Sequence, residues 1–298
     1  MEQKKIFVLG AGVMGRGIAQ VAAQSGFQVY LSDVNISIVE NSIAMVKSQL
    51  DKRVQKGKME AEEAAAILAR ITPCEDLTLC GEADLIIEAV VEDVKIKQSV
   101  FEKLEEAASP TAILASNTTS CSITEIASAT KNPERVIGMH FFNPAVVMPL
   151  VEIMPGLLTA GATVEETKKY AAAMKKDPVV TNREGPAGVA SRILAGLLNE
   201  AVWVLHEGIA TVDAIDKAMV LGCNHKMGPF ALMDLIGIDV HLAKTKMLYA
   251  KTGDARYRPC FLLEQMVAAG ILGKKAGKGF YDYSQDPPTP LQVIRTQG

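Results

Sequence analysis

Short apolar runs of strand length alternate with helical patterns through the first half of the chain, as a parallel sheet with crossover helices requires. Lys5-Ile6-Phe7-Val8-Leu9 is a continuous apolar run ended by Gly10, and residues 13–24 then read as a helix closed by Ser25-Gly26. Residues 27–33 predict a second strand. Residues 36 to about 69 read as charged helix with a break at Lys56-Gly57-Lys58. Residues 84–90 and 112–116 predict two more buried strands, with a helix over 95–107 between them. The runs 135–142 and 149–153 are joined by a short, Pro-containing connection with no room for a crossover helix, which makes them neighbouring strands.

After Asp177-Pro178-Val179-Val180 the pattern changes. From about residue 187 it is helix after helix, punctuated by Gly208, Gly222, Gly228-Pro229 and Gly253. Residues 187–207 are apolar on most faces, so that helix is expected to be deeply buried. The boundary is placed in Arg183-Glu184-Gly185-Pro186, giving domains over 1–185 and 186–298. The Pro-rich tail from Asp286 is expected to fray.

Composition narrows the class. A chain of 298 residues with 49% hydrophobic and 22% charged residues has enough material for two cores. A formal net charge of -3 argues against nucleic acid as a partner. No uncharged apolar stretch is long enough to span a bilayer, and the first strand begins too early to leave room for a signal peptide. The five cysteines (74, 80, 121, 223 and 260) form no CxxC pair, which fits reduced thiols in the cytoplasm. The four histidines (140, 206, 225 and 241) lack the close pairing of a metal site, so no metal is expected.

The first strand runs straight into Gly10-Ala11-Gly12-Val13-Met14-Gly15, and the second ends on an acid, Asp33. A lone GxGxxG is weak, but strand, glycine turn, helix, strand and acid together form the dinucleotide-binding arrangement of a Rossmann domain. Gly10 makes the tight turn, Gly12 lets backbone approach a pyrophosphate, and Gly15 lets helix and sheet pack closely. The amides at the start of the helix, at Val13 and Met14, face the phosphates. A carboxylate at position 33 accepts hydrogen bonds from a ribose and repels a 2′-phosphate, which favours NAD over NADP. The fold class is therefore α/β, an N-terminal Rossmann-type doubly wound sheet followed by a C-terminal all-α domain.

His140 and Glu152 fall on the two strands that end the first domain. A histidine there can move a proton, and a nearby carboxylate would fix its tautomer. On spacing alone, a histidine beside Phe141-Phe142 reads equally as a packed core residue.

The local sequence adds more. His140-Phe141-Phe142-Asn143-Pro144, followed by Leu150-Val151-Glu152-Ile153, resembles the L-3-hydroxyacyl-CoA dehydrogenase family, especially its bacterial 3-hydroxybutyryl-CoA members. So do Gly10 to Ala19, Ile87 to Asp93, Ser116-Asn117-Thr118, Asn199-Glu200-Ala201, Met227-Gly228-Pro229 and Lys275 to Tyr281. The resemblance implies hydride transfer between NAD and the C3 position of a short-chain 3-hydroxyacyl-CoA. It makes His140 the general base and Glu152 the group that orients it. Glu92, Lys97, Asn117, Asn143 and Lys275 match family positions lining the cofactor cleft, and Asn143 is also placed against substrate. Lys56 matches a position that meets coenzyme A, where Lys52 and Arg53 are further candidates. The helical domain would supply a homodimer contact.

Two positions depart from the family pattern. Thr119 stands where SNTSS places a serine, keeping the hydroxyl but adding a methyl to the site. Ser191 stands where PGFVVNR places an asparagine, with shorter reach toward substrate. The remaining histidines, His206, His225 and His241, read as structural. Two rival functions stay open: a dehydrogenase of a free hydroxy or sugar acid, and a dinucleotide-binding protein that has lost catalysis.

Overall fold

The computed structural model describes residues 4–291, which divide into two compact units on either side of the Gly188–Val189 bond. The first unit is built on β1 (Lys5–Leu9), α1 (Val13–Gln24), β2 (Gln28–Ser32), α2 (Ile36–Gln55), α3 (Ala61–Ala69) and β3 (Ile71–Cys74). It continues through β4 (Leu85–Glu88), α4 (Val94–Ala107), β5 (Ile113–Ser116), α5 (Ile123–Ala127), β6 (Val136–Phe141), β7 (Leu150–Pro155), α6 (Gly161–Ala173) and β8 (Asp177–Val180).

Its eight strands form one sheet in the order β3-β2-β1-β4-β5-β6-β7-β8. The order reverses direction at β1, with β2 on one side and β4 on the other. Both pairings are parallel, which opens the crevice beyond the carboxyl ends of the strands where such sheets bind ligands. The strands alternate their side chains between two cores. Ile6 and Val8 join one cluster with Val29, Leu31 and Ile87, while Phe7 joins another with Ile86, Phe101 and Leu114. Apolar runs buried on both faces are what a parallel sheet covered by helices demands. β6 and β7 are the exception, an antiparallel pair joined directly, as their short connection predicts.

Two edge strands and two helices of the first unit lie outside the elements predicted from the pattern. β3 and β8 occupy the two ends of the sheet, and each carries a proline, Pro73 and Pro178. Proline lacks an amide for a central ladder and is tolerated at an edge. The additional helices are α5, which is only 5 residues long, and α6, which has only a weak apolar stripe.

The second unit contains α7 (Ala190–His206), α8 (Val212–Cys223), α9 (Pro229–Ile236), α10 (Ile238–Thr252) and α11 (Phe261–Ala268). Leu198, Val202, Leu205, Phe230, Met233, Leu263 and Phe280 form its core. Two carboxylates knit this unit: Asp216 accepts from the Phe230 and Ala231 amides at the start of α9, and Asp234 accepts from those of Phe280 and Tyr281. A short antiparallel pair, β9 (Tyr281–Asp282) with β10 (Thr289–Pro290), orders the beginning of the tail; residues 292–298 lie outside the described residues. Among the described residues, no helix is long and apolar enough to cross a membrane.

Candidate active site

The glycine loop sits where β1 hands the chain to α1. Gly10 donates to the Ser32 carbonyl at 2.8 Å, which joins the loop to the end of β2. A β-carbon at Gly15 would lie 1.7 Å from the Gly10 carbonyl oxygen, so only glycine lets α1 start this close to the turn. Asp33 braces the loop from the next strand. Its Oδ2 accepts from the Ala11 amide at 2.6 Å and its Oδ1 from the Val34 amide at 2.7 Å. Ser42 of α2 holds the Ala11 carbonyl from below.

These residues fit a dinucleotide. Gly12 is the N-cap of α1 with no side chain capping it, and a β-carbon there would have no heavy atom within 4 Å. A helix start without a cap, in open space, presents amides and a positive dipole end to an anion. Val13 is 60% exposed beside it, while Met14 turns inward against the core. The Asp33 carboxylate stands at the end of the neighbouring strand, where ribose hydroxyls need an acceptor.

The second constellation is built on the antiparallel pair. His140 and Glu152 are direct cross-strand partners in the register of β6 and β7, so their side chains project from the same face of the sheet. His140 Nδ1 lies 3.1 Å from Glu152 Oε2, and both side chains are buried, at 6% and 1% exposure. A carboxylate at Nδ1 holds the proton there and leaves Nε2 as the acceptor. That Nε2 is 3.1 Å from Thr119 Oγ1, and the Phe142 ring lies 4.5 Å from the imidazole, centroid to centroid. The hydroxyl that replaces the expected serine therefore reaches the histidine. Burial this deep excludes water from the pair and strengthens each of its polar contacts.

The loop after β5 carries Thr119. Asn117 Oδ1 accepts from the Phe141 amide at 2.8 Å, which fastens this loop to β6 one residue past His140. Glu92 gathers the rest. Its Oε1 accepts from Thr118 Oγ1, from the Thr119 and Ser120 amides and from Ser120 Oγ, at 2.6 to 2.9 Å. Burial pushes the Glu92 carboxyl upward, but the Thr118 hydroxyl, the Lys97 ammonium and the Ser120 donors together hold it below the ordinary carboxylate range. Lys97, expected at the cofactor cleft, has a wholly buried side chain whose Nζ sits 2.6 Å from Glu88 Oε1 and 3.5 Å from Glu92 Oε2. Asn143 is exposed at the start of the turn joining β6 to β7, where its bond to Pro144 is cis. That turn is anchored by Lys176, whose buried ammonium donates to the Ala145 and Met148 carbonyls at 2.6 and 2.8 Å.

The other expected residues lie on other elements. Lys56 is exposed at the C-cap of α2, within the first unit. Ser191 and Lys275 belong to the second unit. Ser191 is buried in the first turn of α7, and Lys275 is exposed and ion-paired with Asp239 at 2.6 Å. Of the remaining histidines, His241 is buried in α10, where burial and then the Lys244 charge lower its imidazole to about 4.

The first unit thus places a dinucleotide-type loop and a histidine–carboxylate pair on one sheet. Matching the chain against protein families separates the two units in the same way. The model described as 3-hydroxyacyl-CoA dehydrogenase, NAD binding domain, matches residues 5–184, and that of the C-terminal domain of the same enzyme matches residues 189–283. The chain belongs to the 3-hydroxyacyl-CoA dehydrogenase family. As a member it is an NAD-dependent 3-hydroxyacyl-CoA dehydrogenase, with NAD as its cofactor.

Relatives of known name cover nearly all of it. A probable 3-hydroxybutyryl-CoA dehydrogenase of Bacillus subtilis is 46% identical over 96% of this chain and 99% of its own length. A 3-hydroxybutyryl-CoA dehydrogenase of Bradyrhizobium diazoefficiens is 43% identical over 97% and 98%. Among solved structures, the (S)-3-hydroxybutyryl-CoA dehydrogenase of Ralstonia eutropha superposes with a TM-score of 0.90 at 40% identity, covering 95% of this chain and all of that one.

Within this family member, several site-building residues are not ones that sequence reasoning singles out. Glu88, Thr118 and Lys176 act by holding neighbours, and Gly188 by leaving room for one. Glu88 and Lys176 are charged residues in or beside strands, and nothing in their spacing shows that their charges point inward. Gly188 lies against Glu152: a β-carbon built on it would be 2.1 Å from Glu152 Oε2.

Proposed function

We propose that this dehydrogenase acts on short-chain 3-hydroxyacyl-CoA thioesters, interconverting 3-hydroxybutyryl-CoA and acetoacetyl-CoA, with His140 as the proton-transfer group. The reading is supported most by one observation: His140 Nδ1 is engaged by Glu152 while Nε2 faces the Thr119 hydroxyl at 3.1 Å. The named relatives support the choice of acyl chain.

NAD, when bound, supplies the hydride acceptor in the oxidative direction and the donor in reverse. Gly10, Gly12, Gly15 and the Val13 and Met14 amides would hold its pyrophosphate, and Asp33 its adenosine ribose. His140 Nε2 takes the proton of the 3-hydroxyl as the carbonyl forms and returns it when the ketone is reduced. Glu152 keeps the Nδ1 proton in place and offsets the positive charge that the imidazole gains. Thr119 donates to the substrate oxygen or to Nε2, fixing the oxygen that reacts. Asn117 and Asn143 border the same end of the sheet and serve cofactor and substrate. Ser191 contributes a hydroxyl toward the substrate and Lys275 a charge toward the cofactor. Lys56 attracts the phosphates of coenzyme A. We further place the enzyme in the cytoplasm as a homodimer through its helical domain.

The test is oxidation of NADH by acetoacetyl-CoA. The wild type should turn over, and free acetoacetate should not replace the thioester. His140→Ala should lower turnover by roughly 10² to 10⁴, the usual scale for a lost general base, with NADH affinity nearly unchanged. Retained turnover in that variant would remove His140 from its role.

A further inference from the structure

The segment that leaves the first unit, from Thr181 to Gly188, runs out from the sheet and returns to the reacting pair. It starts where β8 lies beside β7, with the Thr181 amide donating to the Ile153 carbonyl at 2.9 Å. It ends with Gly188 against Glu152, one position along the same strand. Between these points it crosses the start of α5. There the Glu184 carboxylate has both oxygens 3.1 Å from the Ser122 hydroxyl, and its Oε2 accepts from the Thr124 amide at 3.0 Å. α5 makes a firm anchor. Ile123, Ile126 and Ala127 are packed in the core, and Thr124 Oγ1 accepts from the Leu157 amide at 2.8 Å.

The far end of the segment is closely specified. Ala187 and Gly188 take φ of +69° and +60° in succession, and Ala187 is wholly buried. A left-handed residue that carries a β-carbon persists only where its surroundings over-determine it. The Gly188 amide donates to the Gly185 carbonyl at 3.1 Å, which closes a turn directly after Glu184. That turn brings Gly188 to Glu152 Oε2, the oxygen that lies 3.1 Å from His140 Nδ1. The run bearing Thr119 has ties of its own, from Ser116 to Glu88 and from Thr118, Thr119 and Ser120 to Glu92. Loss of Glu184 is therefore felt at Gly188 rather than at Thr119. We infer that Glu184 is a positioning residue for the histidine–carboxylate pair: it pins the segment to α5 and so sets Gly188 against Glu152, which confines the carboxylate to its place beside His140. This rests on the proposed part of His140 in the reaction.

The test uses the full-length enzyme with Glu184→Ala and Glu184→Gln. The readouts are kcat and KM with acetoacetyl-CoA at saturating NADH, the Kd of NADH by fluorescence titration, and hydrogen–deuterium exchange over residues 183–188. In Glu184→Ala, exchange over that peptide should rise roughly fivefold as the turn loses its anchor. Its kcat should fall about tenfold, short of the ~10²-fold of a full 1 Å misplacement, with KM and the NADH Kd within about twofold. Glutamine can keep both contacts, its carbonyl accepting from the Thr124 amide while its NH2 donates to the Ser122 hydroxyl, so Glu184→Gln should hold kcat within about twofold of wild type. Adding Glu184→Ala to Gly188→Ala should lower kcat by less than about twofold, because the carboxylate is already displaced, whereas adding it to Thr119→Ala should cost the full factor again. A folded Glu184→Ala enzyme with wild-type kcat, or a loss that vanishes in the Thr119→Ala background and not in Gly188→Ala, would overturn the inference. A wild type inactive on acetoacetyl-CoA, with exchange still raised by Glu184→Ala, would overturn the substrate reading and support the assignment of Glu184 to the turn.

Discussion

Gly188→Ala is the most direct probe of the histidine–carboxylate pair, because it alters neither partner. Gly188 is buried and has φ of +60°, directly after Ala187 at +69°. The heavy atoms nearest to a β-carbon there would be Glu152 Oε2 at 2.1 Å, Glu152 Cδ at 3.1 Å and Met154 Sδ at 3.5 Å. Carbon and oxygen in favourable contact lie about 3.3–3.6 Å apart, so the carboxylate oxygen has to retreat by roughly 1.2 Å. His140 Nδ1 is 3.1 Å from that same oxygen, and the retreat breaks the bond unless the imidazole follows. If it follows, Nε2 leaves Thr119. A misplacement near 1 Å at a reacting group costs about 10²-fold, and the left-handed backbone adds about 1–2 kcal/mol of instability for a residue with a β-carbon. We expect kcat with acetoacetyl-CoA to fall roughly 30- to 100-fold, the melting temperature to drop by a few degrees and the NADH Kd to hold within twofold. A folded Gly188→Ala enzyme with wild-type kcat would refute the claim that the Glu152 carboxylate must occupy its observed position.

Two other outcomes follow from single side chains. Asp33→Ala removes both the proposed ribose acceptor and the partner of the Ala11 amide. Loss of the latter weakens either cofactor, so the ratio is the measure: NADH affinity should fall roughly tenfold more than NADPH affinity, and equal losses would remove Asp33 from the ribose. His241 gives a pH dependence of stability. Its folded imidazole is lowered to about 4, below the ordinary value of 6.5, so between these limits the unfolded chain binds the extra proton. The associated stability, about 3 kcal/mol, is complete above pH 6.5 and lost as pH falls toward 4. His241→Gln should flatten this part of a denaturant-midpoint profile, and an unchanged slope would rule out His241 as its source.

How much of this was legible beforehand depends on what each residue contacts. The central strands announced themselves because they are buried on both faces and therefore uniformly apolar, as in Ile6-Phe7-Val8 and Leu85-Ile86-Ile87. β3 and β8 did not, since edge strands are short and can hold Pro73 and Pro178 at positions that a central strand forbids. The glycine loop was readable because its chemistry is local, a turn, a helix start and an acid on the next strand. His140 and Glu152 could be placed on adjacent strands, but not opposite one another. Register depends on how the intervening turn folds, and a shift of one residue would send one side chain to the other face. The burial of Lys97 was hidden for a different reason. The resemblance places this lysine at the cofactor cleft, but only the tertiary fold reveals that its side chain is buried with carboxylates on both sides of it.

The cross-strand placement of His140 and Glu152 also makes the proton-transfer unit portable. Both residues lie in one continuous stretch, twelve positions apart, joined by a turn that passes through Asn143. Many active sites collect acid and base from distant parts of a chain, so that relocating the termini between them separates the pair during folding. Here every new opening of the chain outside residues 140–152 leaves base and carboxylate on the same hairpin. Circular permutants and split versions of this enzyme cut in exposed loops outside that stretch therefore keep the pair together, with the constraint shifting to the loop that presents Thr119.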